Sequence, residues 1–300
     1  MAILSRSRVN DKKKMEGDIV RFIDAATITQ AVAKLAIDAN YYLSEDIYAA
    51  LVAAQSREES PLGREIIGQL VKNAGIAREE AMPICQDTGL AVVFVELGQE
   101  VHVQGGSLEE AIHAGVAQGY VDGYLRKSAV AEPLFNRTNT QNNTPAIIHY
   151  SIVPGDRLKI ILAPKGAGSE NKSAVKMLVP ADGIAGVKKF ILDTVTAAGP
   201  NSCPPMVIGI GIGGTMEKAA ILAKKALVRP IDRRNANPEY AKLEEDILAM
   251  INQTGIGPQG LGGRVTALAV NIEWYPTHIA GLPVAVNINC HAARHAQVEL

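Results

Sequence analysis

The spacing of apolar residues changes near residue 83 of this 300-residue chain, and that switch confines the fold to a mixed one. Before it, AATITQAVAKLAIDANYYL and SEDIYAALVAAQ carry apolar residues three and four apart, the period of a helix with one buried face. Ser44 is placed to cap the second helix, with Glu45 and Asp46 in its first turn. A third helix is expected from Pro61 to about Lys72, with proline near its start. After the switch, PICQDTG reads as a turn and LAVVFVEL as a buried strand. Residues 107–127 return to the helical period, with Ser107 and Glu110 in capping-box spacing.

Further on, 131–145 is a long polar loop, and AIIHYSIV and RLKIILAP flank a P-G-D turn and are expected to pair as a hairpin. KGAGSENKS is a glycine-bearing loop. GIAGVKKFILDTVTAAG, TMEKAAILAKKAL and PEYAKLEEDILAMINQTG read as helices, and MVIGI, RVTALAVNIEW and PVAVNIN as strands. The expected fold class is α+β. A helical N-terminal region is followed by mixed sheets interleaved with helices, as one compact unit over 16–300 behind a polar, mobile lead-in at 1–15.

Composition removes several classes of function. Thirty Lys and Arg stand against 31 Asp and Glu, so the basic footprint of a nucleic-acid binder is absent. Aromatic residues are 4%, too few for base- or sugar-stacking platforms to be the main business. No apolar run is long enough to span a bilayer, and the N-terminus lacks the apolar stretch of a secretory signal. Three cysteines without such a signal point to a reducing cytoplasm rather than a disulfide framework. Charged residues are 20%, slightly below the roughly 25% usual for soluble domains, which is compatible with a large covered interface.

Gly209, Gly211 and Gly214 form G-x-G-x-x-G between a strand and a helix, the spacing of a dinucleotide-binding loop. That reading needs a second strand ending in an acidic residue. Asp232 is at a passable distance, but the polar LVRPIDRRNANPEY precedes and surrounds it. Close packing of a strand on a helix explains the glycines better.

Cys85, Cys203 and Cys290 lie in I-C-Q-D-T-G, N-S-C-P-P and N-I-N-C-H, each at a turn or strand end beside polar or proline residues. They are too far apart in sequence for a zinc finger or ribbon. Either they are independent loop and core thiols, or they converge on one soft centre such as zinc, copper(I) or an iron–sulfur cluster. Three thiolates on a cubane would leave one iron open to a substrate oxygen.

At these residues the chain resembles the alpha part of the iron–sulfur-dependent (class I) fumarate hydratase family, whose relatives include L-tartrate dehydratase alpha subunits. The similar stretches include ICQDTG (84–89), LRKSAV (125–130), NTQNNTPA (139–146), KGAGSENKS (165–173), SCPP (202–205), GIGPQGLGG (255–263) and HIAGLPVAVNINCHAARH (278–295). The resemblance implies a 4Fe-4S cluster held by Cys85, Cys203 and Cys290, and reversible hydration of a dicarboxylic alkene, with a place in the tricarboxylic acid cycle. The ending HIAGLPVAVNINCH is more similar to the fumarase branch than to the tartrate branch.

The same resemblance marks Gln86, Asp87, Arg126, Gly168, Asn171, Lys172 and His278 as substrate-binding, with Asp87 as the general acid or base. Each has a plainer alternative: a turn aspartate capping Gly89, a surface charge on a helix end for Arg126, a solvated glycine turn at Gly168, and a structural histidine before the Gly281 turn. His291 and His295 follow Cys290 and could donate to cluster sulfur.

Single-chain members of the family carry a second domain, for which residues up to Leu300 offer no candidate. The expectation is therefore an alpha subunit, inactive or weakly active without a separate beta subunit that completes the site, in a higher two-fold oligomer with no nucleic-acid or membrane partner. The readings weighed against fumarate hydration are tartrate or a related dicarboxylate as substrate, a non-catalytic iron–sulfur regulatory module, and nucleotide binding.

Overall fold

The computed structural model describes residues 20–300; the lead-in expected at 1–15 lies outside them. Three helices dominate the start, as the apolar period predicts. A short strand, β1 (Arg21–Asp24), leads into α1 (Ala25–Tyr41), where the Asp24 carboxylate accepts from Ala26 N at 2.8 Å and caps the first turn. Helix α2 (Glu45–Arg57) starts after Ser44, whose hydroxyl makes no capping bond to it. Helix α3 (Pro61–Glu79) runs well past Lys72, because Ala74 and Ala77 carry its buried stripe onward.

The strands then begin with β2 (Leu90–Gly98) and β3 (Val101–Gln104). Helix α4 (Leu108–Asp122) is capped by Ser107, which accepts from Glu110 N, and it stops at Gly123, short of the expected Lys127. Strands β4 (Ile147–Val153) and β5 (Leu158–Lys165) follow, then a single turn of helix, α5 (Ala167–Glu170), inside KGAGSENKS, and β6 (Ala174–Leu178). The remainder comprises α6 (Gly183–Ala198), β7 (Met206–Gly213), α7 (Met216–Ala226), α8 (Pro238–Ile251), β8 (Ala267–Tyr275), β9 (Leu282–Asn289) and β10 (Ala296–Glu299).

Two four-stranded mixed sheets organise these elements, in the orders β10-β5-β2-β4 and β6-β9-β7-β8, beside a parallel β1–β3 pair. The expected hairpin of β4 and β5 does not form. Strand β2 lies between them, parallel to β4 from Val92 opposite Ile147, and antiparallel to β5 from Leu90 opposite Lys165. The cause is burial. Ala91 to Val95 are all buried, so β2 needs a neighbour on each side, whereas β4 is largely exposed and suits an edge. The P-G-D turn closes on β2 instead, with Gly98 N donating to Arg157 O at 2.9 Å and Glu100 N to Gly155 O at 3.1 Å.

Helices α1 and α4 cover one face of the first sheet through Ile28, Val32, Ile112 and Val116. Helices α6 and α8 cover the second through Val187, Ile191, Ile247 and Ile251, against Ile208, Ile210 and Ile212 of β7. On the opposite face of β7, α7 comes so close that a Cβ on Gly209 would lie 2.1 Å from Ala223 O, and one on Gly211 2.0 Å from Ala219 O. The G-x-G-x-x-G is thus a packing device, and α7 is followed by α8 rather than by the strand a dinucleotide fold needs. A third core joins α2 and α3 to Val207, Leu268, Ala292 and Ala293, with Cys85 and Cys290 packed at its margin.

The second sheet is pinned by one buried carboxylate. Glu244 of α8 is fully buried; it accepts from Ile272 N at 2.8 Å and Asn235 N at 3.1 Å, and pairs with Arg229. Glu244→Ala strands those donors and part of the guanidinium, and is expected to cost about 3–5 kcal/mol. At a few degrees per kcal/mol for a chain this size, the melting temperature should fall by roughly 10 °C. A denaturant titration placing the variant within about 1 kcal/mol of the parent would contradict this.

Candidate active site

Two of the three sequence-distant cysteines adjoin strand ends, and the third lies in a loop. Cys203 immediately precedes the Pro204–Pro205 pair that opens β7, and Cys290 directly follows β9. Because β7 and β9 are antiparallel neighbours, with Val207 opposite Asn289, both thiols fall at the same end of the second sheet. Cys85 comes from the loop between α3 and β2. That loop is held by Ile84, whose N–H donates to Asn40 O at 3.0 Å and whose carbonyl accepts from Asn73 Nδ2 at 2.9 Å. The three cysteines line one cavity of about 160 Å³ together with Gln86, Asp87, Gly168, Ser169 and Arg294. The thiols are free.

Cys203 holds a left-handed backbone conformation, φ 52° and ψ 65°, which costs a non-glycine residue roughly 1–2 kcal/mol. It is stabilised from both sides. Its N–H donates to Pro200 O at 3.0 Å, and its carbonyl accepts from His291 N at 3.2 Å, tying the Cys203 loop to the residue after Cys290. Gln259, from GIGPQGLGG, adds a second tie: its Nε2 donates to Pro204 O at 2.7 Å and approaches His291 Nδ1 at 3.1 Å. Gln259 and Arg294 lie inside stretches the resemblance marks, but sequence reasoning did not single them out.

Burial pushes the Cys203 thiol above its ordinary range, and the nearby Cys85 adds to that. Burial does the same to Cys290, against the opposing pull of the Arg294 cation. Among the described residues, no group of three His, Cys, Asp or Glu side chains is gathered closely enough for a single metal ion.

Asp87 clamps two loops. Its Oδ1 accepts from Gly89 N at 3.0 Å, the turn role the sequence allowed, and its Oδ2 accepts from Ala167 N at 2.9 Å at the start of α5. Its own carbonyl accepts from Arg294 Nη2. Behind the wall, the buried Lys165 donates to Ile288 O at 2.7 Å and Ser169 Oγ at 3.0 Å, and lies 3.3 Å from Glu170. Burial lowers Lys165 to about 8 against the pull of Glu170. Burial opposes ionisation of Glu170 too, but Lys165 and Lys224 outweigh it and hold the carboxyl at about 2. This network braces the loop carrying Gly168.

The other expected site residues divide. Gln86, Asp87 and Gly168 are on the cavity wall. Arg126 is exposed and outside the wall, but its carbonyl accepts from Thr88 Oγ1 at 3.1 Å, so its loop is tied two residues from Gln86. Asn143 fixes the same loop, accepting from Ser128 N at 2.7 Å and donating to Gly89 O at 3.1 Å. Asn171 and Lys172 stand just beyond α5, off the wall. His278 is not brought to the thiols. It lines a separate pocket with Lys218 and Tyr275, at the end of β7 remote from Cys203, and its Nδ1 accepts from Ala280 N at 3.1 Å. No helix of the described residues is long and apolar enough to cross a membrane.

A helical front, two mixed sheets and three thiols at one cavity accord with the alpha-subunit class of hydro-lyases that the sequence resembles, and comparison with known proteins shows that class. The family model described as fumarate hydratase (Fumerase) matches residues 29–299. The chain is 43% identical over 274 residues to a Methanocaldococcus jannaschii protein named "Putative L(+)-tartrate dehydratase subunit alpha", covering 90% of this chain and 96% of that one. It is 32% identical over 271 residues to the L(+)-tartrate dehydratase subunit alpha of Escherichia coli, and equally to that of Shigella sonnei, covering 89% of this chain and 88% of each. The chain belongs to the family of class I fumarate hydratase and L-tartrate dehydratase alpha subunits. These relatives carry tartrate names, against the fumarase leaning of the C-terminal segment.

Proposed function

We propose that this chain is the alpha subunit of a two-subunit hydro-lyase that removes water from a four-carbon hydroxy-dicarboxylate, L(+)-tartrate first, at a 4Fe-4S cluster held by Cys85, Cys203 and Cys290. The observation that carries it is the meeting of these three thiols in one cavity beside Gln86, Asp87 and Gly168. The donor set suits the cluster: the ligands are soft sulfur, they line one cavity, and the buried Arg294 beside them has Nε and Nη1 without an acceptor among the described residues. When bound, the cluster supplies an open iron as a Lewis acid.

The protein's own groups supply the rest. Gln86 offers an amide to a substrate oxygen, and Asp87 is positioned by two backbone donors to exchange a proton with the substrate. The Arg126 guanidinium, exposed and without a hydrogen bond or ion pair among the described residues, is available to a substrate carboxylate. A partner would cover this exposed side, in keeping with the relatives' designation as alpha subunits. The tartrate names favour tartrate as substrate, and HIAGLPVAVNINCH favours fumarate and malate as the second reading.

The test is a substrate panel on the chain purified anaerobically with its beta subunit. Tartrate should be converted to oxaloacetate at least about 10-fold faster than fumarate is hydrated, and the alpha chain alone should hold iron and sulfide yet turn over little. Full-rate turnover by the lone chain would refute the two-subunit reading, and a preference for fumarate would select the second substrate.

A further inference from the structure

Arg294 is the one charged residue besides Asp87 on the wall of the thiol cavity, and nothing so far accounts for it. Its exposure is 5%. One of its three nitrogens, Nη2, donates to the Asp87 carbonyl, while Nε and Nη1 are buried and meet no acceptor among the described residues. It enters no ion pair among them either. A guanidinium cannot shed its proton to escape burial as a lysine can, so its charge and its two idle donors call for an anion that the described residues do not provide.

We propose that Arg294 is the internal counter-ion of the cysteine-bound cluster, giving its Nε–H and Nη1–H to sulfur of that group. The inference rests on the cluster reading above. Three thiolates on a 4Fe-4S core leave a net anion, and Arg294 is four residues from Cys290 on the same segment. A substrate carboxylate is the weaker candidate for this charge. Arg294 is enclosed in the wall and anchored to backbone, whereas the exposed Arg126 stands free. Arg294 is thus a positioning residue, one that favours cluster retention and biases its electron affinity through a fixed positive charge and hydrogen bonds to sulfur.

The experiment compares the full chain with Arg294→Gln and Arg294→Lys after anaerobic rebuilding of the cluster from iron and sulfide. Three readouts are taken: iron and sulfide content, the rate of iron loss to a chelator, and the midpoint potential by electron paramagnetic resonance titration. Arg294→Gln should shift the potential to more negative values, since removing a cation disfavours the added electron, and should lose iron about 10- to 100-fold faster. Arg294→Lys keeps the charge and should recover most of the potential. If both variants lose iron but keep the parental potential, Arg294 merely holds the Asp87 loop and the proposal falls. It also falls if the potential is unmoved in Arg294→Gln while KM for the dicarboxylate rises in the complex with the beta subunit. If the parent chain itself takes up no iron and sulfide, the failure lies with the cluster reading, and the parent control separates the two.

Discussion

Cys203→Ser and Cys290→Ser should each give a folded chain that retains no intact cluster. After anaerobic rebuilding, iron should drop from about four per chain toward zero, and dehydration by the complex with the beta subunit should fall at least about 1000-fold. Serine is nearly isosteric with cysteine, and neither thiol carries the core: Cys203 is exposed and Cys290 sits at the margin of the third cluster. The cost in folding stability should therefore stay within about 1 kcal/mol, so lost iron cannot be blamed on lost fold. The hydroxyl is a far poorer ligand for iron than a thiolate at neutral pH. Cys85→Ser should behave alike, since all three thiols line the same cavity. A Cys203→Ser chain with full iron content and undiminished turnover would remove Cys203 from the ligand set, and with it the reason for its left-handed backbone.

That backbone shows where sequence reading stops. The residues around Cys203 are a proline-bounded turn, legible as such, but nothing in S-C-P-P states that the cysteine adopts φ 52° or that His291, far along the chain, holds it there. The three thiol neighbourhoods are legible because each interrupts the apolar period with polar or proline residues. Their convergence is not, because it follows from β7 and β9 being antiparallel neighbours, a long-range pairing with no local code. The missed insertion of β2 between β4 and β5 has the same origin. A P-G-D turn between two apolar runs is a fair hairpin signal, but tertiary demand for two neighbours on the buried stretch Ala91–Val95 of β2 overrides it. Helix starts at Asp24, Ser60 and Ser107 follow capping rules that depend on a few adjacent residues, so those boundaries could be read, or come within reach, from sequence alone. Arg294 marks the opposite extreme. Its identity means nothing in H-A-A-R-H until burial leaves two of its nitrogens without partners among the described residues.

Asp87→Asn should lower kcat by about 100- to 10,000-fold with cluster content unchanged. The structure gives Asp87 one job and the proposed function a second, and the substitution is chosen to divide them. As a brace, the carboxylate accepts from Gly89 N and Ala167 N, joining the Cys85 loop to the loop that carries Gly168. Asparagine keeps one carbonyl acceptor, so one of the two bonds survives. Losing the other should cost about 1 kcal/mol and loosen substrate binding by no more than about 10-fold. As a proton carrier, the carboxylate has no substitute in asparagine, whose amide neither takes up nor releases a proton in the working range. A large fall in kcat with a small change in KM therefore belongs to proton transfer, and a rise in KM with kcat within about threefold of the parent belongs to the brace. Asp87→Glu sharpens the division, because it retains a carboxylate while displacing it from both backbone donors. If Asp87 carries the proton, the glutamate chain should keep more kcat than the asparagine chain. Equal kcat in Asp87→Asn and the parent, with iron content intact in both, would leave Asp87 as a hinge pin between two loops and place the proton on another group, the first to examine being one supplied by the beta subunit.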